Sequence, residues 1–452
     1  MAADGATLDI AVVGSGISGL ASAWLLGTRH RVTLYEQADR AGGHSNTVSV
    51  SLGDGHVPVD TGFIVFNEPA YPNLTALFAH LGVATDATDM TFSVSLDSGR
   101  LEYAGGTIAG LLAQPSNLAK PRFWIMMRDI VRFYRQAPAL IGADGAAGTT
   151  LGQMLDAGRF SRAFREDHIL PMAGAIWSAP AEAMLDYPAA AFVRFFENHG
   201  LLKLTDRPLW RTVAGGSRQY VERLLEEFSG DVRLGTPVKR LDRTRDGVSV
   251  HVKGEAARTF DHVVVATHAD QALQMLGDAD DTERRLLGAF RYVRNRAVLH
   301  SDPALMPRRK AAWASWNYLS TRCDTVTQAG LSVSYWMNRL QRLDTEQALL
   351  VTLNPAVEPD PRLVHREDLY DHPLFDVAAH HAQHQLWSLQ GRRRTWFCGA
   401  HFGAGFHEDG LQAGLAVAEQ LGRVRRPWCV ENESGRLPAA SAPGFPSLER
   451  AA

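Results

Sequence analysis

The sequence predicts an α/β fold organised around a dinucleotide-binding unit near its N-terminal end. Ile10 to Val13 is a short apolar run rich in valine, as in a buried parallel strand. Glycines then follow in the spacing G-x-G-x-x-G, and the Ala- and Leu-rich segment from Ile17 to Leu26 predicts a helix. Arg31 to Tyr35 predicts a second strand. This order of strand, turn, helix and strand is typical of a Rossmann-like unit with a parallel sheet.

The three glycines and an acid carry the prediction that this unit binds a dinucleotide. Gly14 allows a tight turn, Gly16 lets the backbone approach a pyrophosphate, and Gly19 lets helix and strand pack closely. The pyrophosphate would lie at the positive end of the helix dipole, next to Ser18. Glu36 follows the glycines by about 20 residues, where a carboxylate can bind an adenosine ribose. An ordinary strand-turn-helix that carries three glycines is the alternative.

Length and composition exclude several classes of protein. A chain of 452 residues is expected to form two or three domains, and its net charge of -3 argues against general nucleic-acid binding. The three cysteines, Cys323, Cys398 and Cys429, have no paired spacing, so we expect a reducing compartment and no metal site. The sequence shows no secretory signal and no uncharged run of membrane-spanning length. We therefore expect a cytoplasmic protein that can rest peripherally on a membrane.

A second glycine motif follows the acid and consists of Arg40, Gly42, Gly43 and His44. At this point the chain resembles the superfamily of flavin amine oxidases, protoporphyrinogen oxidases and phytoene desaturases. Its members have an acid, an arginine, a Gly-Gly pair and usually a basic residue. The resemblance implies that the dinucleotide is FAD, held in a Rossmann-like domain of the glutathione reductase type. Ala38 stands where relatives usually have an arginine, and His44 replaces the usual basic residue, which puts some phosphate contacts in question.

Three further segments extend the resemblance and its expected contacts to FAD. Val57 to Asn67 predicts a strand, a turn and a strand, and relatives place this turn, with Thr61, Gly62 and Phe63, beside the flavin. A plain hairpin is the alternative. Trp210 to Tyr220 contains a Gly-Gly-Ser turn that opens a helix. In relatives, the chain near Val238 clamps the adenine, and the strand that leads to Thr267 ends close to the cofactor.

The last motif, between Thr395 and Leu415, predicts a strand, a glycine loop and a helix from about Asp409. It supplies a second helix N-terminus for the same anion. The resemblance assigns cofactor contacts here to Gly399, Gly405, Phe406, Asp409, Gly410 and Leu411. The cysteine that binds flavin covalently in some amine oxidases lies earlier in the chain than Cys398, so we expect noncovalent FAD.

These motifs predict a discontinuous FAD-binding domain formed by residues 1–70, 205–290 and 392–430. Residues 71–204 are expected to form a mostly helical region that faces the substrate or a membrane. Residues 291–391 are expected to form an antiparallel sheet of the same inserted α+β substrate domain. Residues 431–452 are rich in Pro, Ala and Ser, which predicts a loose tail.

The first insertion contains a predicted basic amphipathic helix at residues 120–135. Phe123, Met127, Ile130 and Tyr134 fall on one side, and Arg128, Arg132 and Arg135 form a separate stripe. Such a helix can lie on an anionic lipid surface. A solvated helix whose apolar side packs in the core is the alternative.

The second insertion is rich in aromatic residues, namely Trp313, Trp316, Tyr318, Tyr335 and Trp336. A sheet with one aromatic face could line a tunnel for an apolar substrate, or it could be a packed core face. Four residues are candidates for catalysis: His401, His407, Asn317 and Tyr318. A histidine titrates near neutrality and can act as a base, although His407 could equally cap the last helix. Asn317 and Tyr318 could orient substrate or satisfy buried hydrogen bonds.

The resemblance implies removal of a hydride from a substrate C–H bond onto flavin. The runs VDTGFIVFN, SWNY, YWMN and GFHEDG look similar to a bacterial group, the methylated-fatty-acyl phospholipid desaturases of furan fatty acid biosynthesis. This predicts a methyl-branched unsaturated acyl chain as substrate and a conjugated diene as product. An amine oxidase or other flavin dehydrogenase is the first alternative, and a flavin-binding protein without catalysis is the second. The sequence leaves the oligomeric state open, a homo-oligomer included.

Overall fold

The computed structural model describes residues 6–53, 55–140, 148–203, 205–320 and 332–438. Cys323 and most of the expected tail lie outside the described residues. The helices are α1 Ile17–Gly27, α2 Pro72–His80, α3 Ile108–Leu111, α4 Pro121–Leu140, α5 Leu151–Ala157, α6 Arg162–Phe164, α7 Leu170–Trp177, α8 Ala181–Leu185, α9 Ala189–Asn198, α10 Arg218–Glu227, α11 Ala269–Met275, α12 Asp281–Leu287, α13 Met337–Gln341, α14 Val377–Leu386 and α15 His407–Gly422.

The strands are β1 Asp9–Val13, β2 Arg31–Tyr35, β3 Thr47–Leu52, β4 Gly55–Asp60, β5 Phe66–Asn67, β6 Thr85–Thr88, β7 Phe92–Leu96, β8 Leu101–Ala104, β9 Trp210–Val213, β10 Asp231–Arg233, β11 Val238–Arg243, β12 Val248–Val252, β13 Arg258–Phe260, β14 His262–Val265, β15 Arg291–His300, β16 Trp316–Leu319, β17 Val333–Trp336, β18 Leu350–Leu353, β19 Val364–Leu374 and β20 Thr395–Phe397. They form five sheets, of which two position the site.

The first of these is a five-stranded parallel sheet in the order β10-β2-β1-β14-β20. Its central strands are buried on both faces, which explains why they read as continuous apolar runs. The sheet confirms the predicted Rossmann-like α/β fold. The two helices that follow β1 and β20, α1 and α15, begin at the carboxyl ends of these strands, where ligands bind in open α/β sheets.

The second is a seven-stranded sheet in the order β19-β15-β18-β17-β16-β7-β8. Strands β7 and β8 come from the first insertion and the other five from the second, so the two insertions share one sheet. The pairing of β7 with β16 is parallel, whereas the other pairs are antiparallel. The division into domains stays a prediction, and the shared sheet favours one substrate domain built from both insertions.

Several expected elements differ in the structure. The residues from Asp231 to Arg243 form two strands in different sheets, because β10 joins the parallel sheet and β11 belongs to a small antiparallel sheet. The segment Val57 to Asn67 is not a hairpin, since β4 pairs with β3 and β5 pairs with β9. Within the region 71–204, the helical segment that ends at Trp177 contains a π turn at Arg165–Ile169. Among the described residues, no helix is long and apolar enough to cross a membrane.

Candidate cofactor and substrate site

The first glycine loop forms a cradle at the N-terminus of α1. Gly14 has φ +99°, and a Cβ placed there would lie 2.9 Å from the carbonyl oxygen of Ala266. A Cβ on Gly19 would lie 1.8 Å from the carbonyl oxygen of Gly14, so the helix can approach the loop only without a side chain there. A Cβ on Gly16 would meet no protein atom within 4 Å. The loop therefore packs tightly against the protein at Gly14 and Gly19 and leaves open space at Gly16, which a pyrophosphate needs in order to approach the backbone.

The N-terminus of α15 lies beside that of α1, and the two helices run parallel. A Cβ on Gly410 would lie 3.0 Å from Ile17, and one on Gly414 would lie 2.2 Å from the carbonyl oxygen of Ser18. Ser22 donates a hydrogen bond of 2.9 Å to the carbonyl of Gly414. Contacts between matching turns place both N-termini at the same end, so both helix dipoles favour one anion. Leu411, in the first turn of α15, is fully buried.

Glu36 lies at the end of β2 and faces the first glycine loop. Its carboxylate accepts hydrogen bonds from the backbone N–H of Ser15 at 2.9 Å and from the Ser15 hydroxyl at 2.6 Å. Its other oxygen accepts from the N–H of Ala38 at 2.8 Å. A carboxylate has about four acceptor positions, so Glu36 keeps capacity for a ribose hydroxyl. The acid thus fixes the loop and has the chemistry expected of a ribose ligand.

The second glycine motif folds against the first. The Arg40 guanidinium donates to the carbonyls of Gly43 at 2.9 Å and Ser45 at 3.3 Å. The N–H of Gly42 donates to the carbonyl of Ser15 at 3.0 Å, and a Cβ on Gly43 would lie 3.0 Å from the Cα of Gly16. In this structure the Arg40 side chain therefore holds the second glycine motif in place by binding the backbone carbonyls of that motif.

The turn at Thr61, Gly62 and Phe63 packs on His44. A Cβ on Gly62 would lie 2.1 Å from the carbonyl oxygen of His44, which also accepts the N–H of Phe63 at 2.8 Å. The Thr61 hydroxyl shares a hydrogen bond of 2.7 Å with the Tyr370 hydroxyl. The turn is thus fixed between the glycine motif and strand β19.

The remaining expected contacts lie on two other elements. Val238 is half-buried at the start of β11, opposite Val252. Thr267 follows β14, and its methyl group would lie 3.4 Å from a Cβ on Gly14. Gly399 has φ +154°, and a Cβ there would collide with the ring of His401 at 2.7 Å. Thr267 therefore borders the first glycine loop, and Gly399 lies in the loop that precedes α15.

His407 begins α15 and is committed to a hydrogen-bond network. Its Nε2 lies 3.0 Å from the Ser45 hydroxyl and 2.9 Å from the Tyr220 hydroxyl, and its ring stacks on Phe63 with the ring centroids 3.9 Å apart. Burial lowers the pKa of His407 to about 3. The imidazole is therefore neutral, and its hydrogen bonds and its stacking on Phe63 tie the start of α15 to the Thr61 turn. The helix cap itself is made by Asp409, whose carboxylate accepts the N–H of Phe406 at 2.8 Å.

His401 has a different environment. Its side chain is buried against Phe290 and Phe402, with ring centroids 5.2 Å and 5.0 Å away. Its Nε2 has no hydrogen-bond partner within the described part of the chain. Burial, assisted by nearby His268, lowers the pKa of His401 to about 3. His401 thus places an unpaired imidazole nitrogen beside a cofactor loop, and protein atoms cover that nitrogen in this structure.

A cluster of imidazole and phenol rings, which the sequence analysis did not identify, adjoins His44. The ring of His44 lies 5.0 Å from that of Tyr370, 5.5 Å from that of His372 and 6.5 Å from that of His268. Burial, and then the proximity of the other histidines, lowers the pKa of His44 well below its usual value, and burial lowers that of His372 to about 4. The period of two along β19 could have indicated that Tyr370 and His372 share a face.

Asn317 and Tyr318 lie on β16 and are buried. The Asn317 carbonyl accepts the Ser93 hydroxyl at 2.7 Å and the N–H of Ala314 at 2.9 Å. Its amide donates to the carbonyls of Ala314 and Ser334 at 2.7 Å and 3.0 Å. With both ends of the amide occupied, Asn317 holds strands together in this structure. Substrate orientation by Asn317 or Tyr318 stays a prediction.

An aromatic cavity of about 190 Å³ lies next to the loop that precedes α15. Its apolar lining is formed by Trp177, Ala179, Ala183, Met184, Tyr187, Pro373, Leu374 and Phe375. A Cβ on Gly405 would lie 2.9 Å from the Phe375 ring, and the Trp177 ring lies 6.2 Å from that of Phe406. Arg291 and Asp376 at its edge pair with each other at 2.7 Å. This cavity offers an apolar ligand a place beside the cofactor loops.

These observations fit a dinucleotide with a buried redox ring. The open face at Gly16 and the two parallel helix N-termini suit the pyrophosphate, and Glu36 suits the ribose. Burial raises the pKa of the Cys398 thiol to about 12, so this cysteine stays a protonated core residue facing Ser22.

Comparison with known proteins agrees with this geometry. The sequence model of the family described as flavin containing amine oxidoreductase matches residues 17–422. A Mycobacterium tuberculosis protein, AofH, provisionally named a flavin-containing monoamine oxidase, is 28% identical over 270 residues. The match covers 58% of this chain and 57% of AofH, so the chain spans little more than half the length of that relative.

Solved structures share the fold. The fatty acid isomerase from P. acnes that produces CLA superposes with a TM-score of 0.65 at 17% identity, covering 92% of this chain and 98% of its own. Cyclohexylamine oxidase from Brevibacterium oxydans superposes with a TM-score of 0.63, also at 17% identity, covering 92% of this chain and 100% of its own. Identities this low establish a common fold, and one such fold serves both a fatty acid and an amine.

Proposed function

The chain belongs to the flavin containing amine oxidoreductase family, and from that premise we propose that this FAD-dependent oxidoreductase acts on the acyl chain of a lipid. Bound FAD supplies an acceptor for a hydride and its two electrons. Glu36 would hold the ribose, the N-termini of α1 and α15 the pyrophosphate, and the loops at Thr61 and Gly405 the flavin end. The protein must then orient the substrate, exclude water and accept a proton.

The observation that carries this proposal is the aromatic cavity beside Gly405. Its walls are made of Trp177, Met184, Tyr187 and Phe375 with few polar atoms between them. Such a surface gains free energy by covering methylene groups, at about 25 cal/mol per Å² of apolar area removed from water. An uncharged chain can enter it without losing the hydration of a charge.

The charged groups near the loop also favour an uncharged substrate. The Glu408 carboxylate is buried and accepts hydrogen bonds from Asn73, Leu74 and Gln412. Asp409 caps α15 and pairs with Arg436 at 3.3 Å. Glu408 and Asp409 are therefore committed to the fold and are not free to pair with an ammonium group. The five lysines all lie at the surface, with Lys120 partly covered.

Within this class, we propose a methyl-branched unsaturated acyl chain of a phospholipid as the substrate and a conjugated diene as the product. The conversion removes one hydride and one proton from the chain. Loss of an allylic hydride spreads positive charge over the alkene, and the adjacent C–H then becomes strongly acidic. A weak base is sufficient for such a proton, so the unpaired Nε2 of His401 can accept it despite a pKa of about 3. An external electron acceptor must reoxidise the flavin after each cycle.

Amine oxidation is the second candidate function. It is favoured by the match to AofH, whose name describes a monoamine oxidase, and by the His44 cluster, which offers aromatic rings to a substrate. An amine would have to bind as the neutral base or bring its charge to Asp186 and Asp376 at the cavity edge.

Product analysis separates these candidates. The purified enzyme is incubated aerobically with phospholipids that carry methyl-branched monounsaturated acyl chains, and in parallel with a panel of primary and secondary amines. The proposal expects an acyl product two mass units lighter with diene absorbance, and no amine turnover. Aldehyde and hydrogen peroxide from an amine, with unchanged lipid, would establish the second candidate instead.

A further inference from the structure

The exposed apolar side chains of this protein are concentrated in one short segment. Within the described residues, five of the nine exposed large hydrophobic side chains lie between positions 108 and 125. They form what we call the apolar patch: Ile108 (77% exposed), Leu112 (37%), Leu118 (46%), Trp124 (53%) and Ile125 (40%). Single exposed hydrophobic residues are ordinary, but a cluster of this kind indicates an interaction surface.

The segment that carries the patch lies along β8, one edge of the seven-stranded sheet. A Cβ on Gly110 would lie 2.9 Å from the carbonyl of Ala104. The Asn117 amide donates to the carbonyl of Glu102 at 3.0 Å. The indole N–H of Trp124 donates to the carbonyl of Leu118 at 2.9 Å, which satisfies its polar atom and leaves the ring body outward.

The apolar patch differs from the apolar side of α4, which the sequence predicted to contact lipid. Helix α4 buries Phe123, Met126, Ile130 and Phe133 inside the substrate domain. This agrees with the alternative prediction, a helix whose apolar side packs in the core. Its basic stripe is also partly engaged, since Arg132 lies over the ring of Phe160 at 4.1 Å. The exposed apolar side chains of this region therefore lie at the N-terminal end of α4 and in the chain that precedes it.

Cations without an ion pair lie around the patch. Residues 105–128 contain no Asp or Glu, and of their three basic residues Arg122 and Arg128 pair with carboxylates of neighbouring segments, which leaves Lys120 without an ion pair within the described residues. The short 3₁₀ helix Lys310–Ala312 packs against α3, which brings the exposed Lys310 to the same edge. Lys310 and the exposed Arg308 make no ion pair within the described residues. Apolar side chains with a tryptophan, flanked by cations, are complementary to the interface of an anionic bilayer.

We propose that the apolar patch docks this protein on the surface of a bilayer that contains anionic phospholipids. The patch is connected to the site by the helical segment that ends in α7. Arg122 pairs with Asp167 at 2.6 Å near the start of that segment, and Trp177 of the aromatic cavity ends it, about 15 Å further on at helical rise. Docking is inferred from the surface alone and does not depend on the proposed substrate.

Vesicle binding by the FAD-loaded protein tests this proposal without turnover. Vesicles of phosphatidylcholine with and without phosphatidylglycerol are sedimented with the wild type, with Ile108→Asp and with Lys310→Glu. We expect the wild type to prefer the anionic vesicles, and each variant to bind them about tenfold more weakly, because each loses apolar insertion or attraction. Raising the salt concentration should weaken wild-type binding as well.

A matched control is available at the other edge of the same sheet. Leu369 on β19 is 64% exposed, so Leu369→Asp makes the same chemical change away from the patch and should bind like the wild type. The proposal is overturned if the wild type binds both kinds of vesicle equally, if Ile108→Asp and Lys310→Glu bind like the wild type, or if Leu369→Asp weakens binding as much as Ile108→Asp. Unchanged flavin absorbance and unfolding temperature confirm that each variant is folded.

Discussion

Gly414 of α15 lies so close to Ser18 of α1 that a Cβ on the glycine would be 2.2 Å from the serine carbonyl oxygen. This contact lets two helices from the opposite ends of the chain run parallel and present both N-termini to one position. A cofactor phosphate group placed there receives two helix dipoles and two sets of free N–H groups.

Gly414→Val should therefore damage both the fold and cofactor binding. The added side chain must push the two helices apart, and overpacking of this kind costs about 1–3 kcal/mol of the free energy of unfolding. Separating the helices also moves one N-terminus away from the pyrophosphate. Chemical denaturation of the cofactor-free protein and FAD titration by fluorescence measure the two effects, and an unchanged unfolding transition would contradict the close contact.

Gly16→Val should show the opposite pattern. A Cβ there meets no protein atom within 4 Å, and the backbone has φ -63° and ψ 175°, which any residue can adopt. We expect the cofactor-free protein to keep its stability, while the side chain occupies the approach of the pyrophosphate and weakens FAD binding about 100-fold, or about 2.7 kcal/mol. If FAD binds the variant as it binds the wild type, the pyrophosphate lies elsewhere.

Substitution of His401 and His407 should separate proton transfer from cofactor binding. In His401→Gln the flavin contacts are untouched, so we expect retained FAD and an approximately tenfold to hundredfold slower reduction of the flavin by substrate. In His407→Gln the contacts of Nε2 with Ser45 and Tyr220 are lost, so we expect weaker FAD binding. Stopped-flow reduction and FAD titration provide the two readouts. Unchanged reduction in His401→Gln would remove His401 as the base.

Buried histidines should make this protein lose stability in mild acid. Burial, assisted by Arg207, lowers the pKa of His168 to about 3, whereas an unfolded chain protonates histidine near 6.5. Between these two values only the unfolded state binds the proton, so stability falls as the pH falls, by up to about 1.4 kcal/mol per pH unit for each such group.

His168→Phe tests this relationship away from the cofactor site. The ring packs beside Tyr103 and Phe164, and its Nε2 has no partner within the described residues. Phenylalanine loses the contact of Nδ1 with the Tyr103 hydroxyl at 3.0 Å, but that hydroxyl keeps its hydrogen bond to the Asp167 carbonyl at 2.8 Å, so the replacement is tolerable. We expect a shallower decline of the unfolding free energy between pH 6.5 and pH 4. The exposed His56, replaced in the same way, serves as the control. Equal slopes in the wild type and His168→Phe would show that the residue does not titrate as described.

Sequence patterns predicted the helices and strands that are encoded by residues close together in the chain. Helix α1 and strand β2 were placed within a residue of their bounds, because glycine spacing and apolar runs act over a few neighbours. The parallel pairing of β7 with β16 was not predicted, since it joins segments more than 200 residues apart and depends on a register that no local pattern encodes.

The residues of the site also fall into those that sequence spacing predicts and those that it does not. The glycine motifs and Glu36 are predicted by their spacing, whereas His268 and His372 become neighbours of His44 only after three distant elements fold together. The helix at 121–140 shows the limit of periodicity most clearly. Its amphipathic pattern was evident, but only the packing shows that the apolar face is covered and that Trp124 and Ile125 remain outside.

Anaerobic reduction of the bound flavin, followed by its visible absorbance, distinguishes a lipid substrate from an amine. We expect a methyl-branched unsaturated phospholipid to bleach the flavin, with one diene formed for each flavin reduced, and amines to leave its absorbance unchanged. Bleaching by an amine alone would contradict the lipid substrate, and a purified protein with no flavin absorbance would contradict the cofactor site itself.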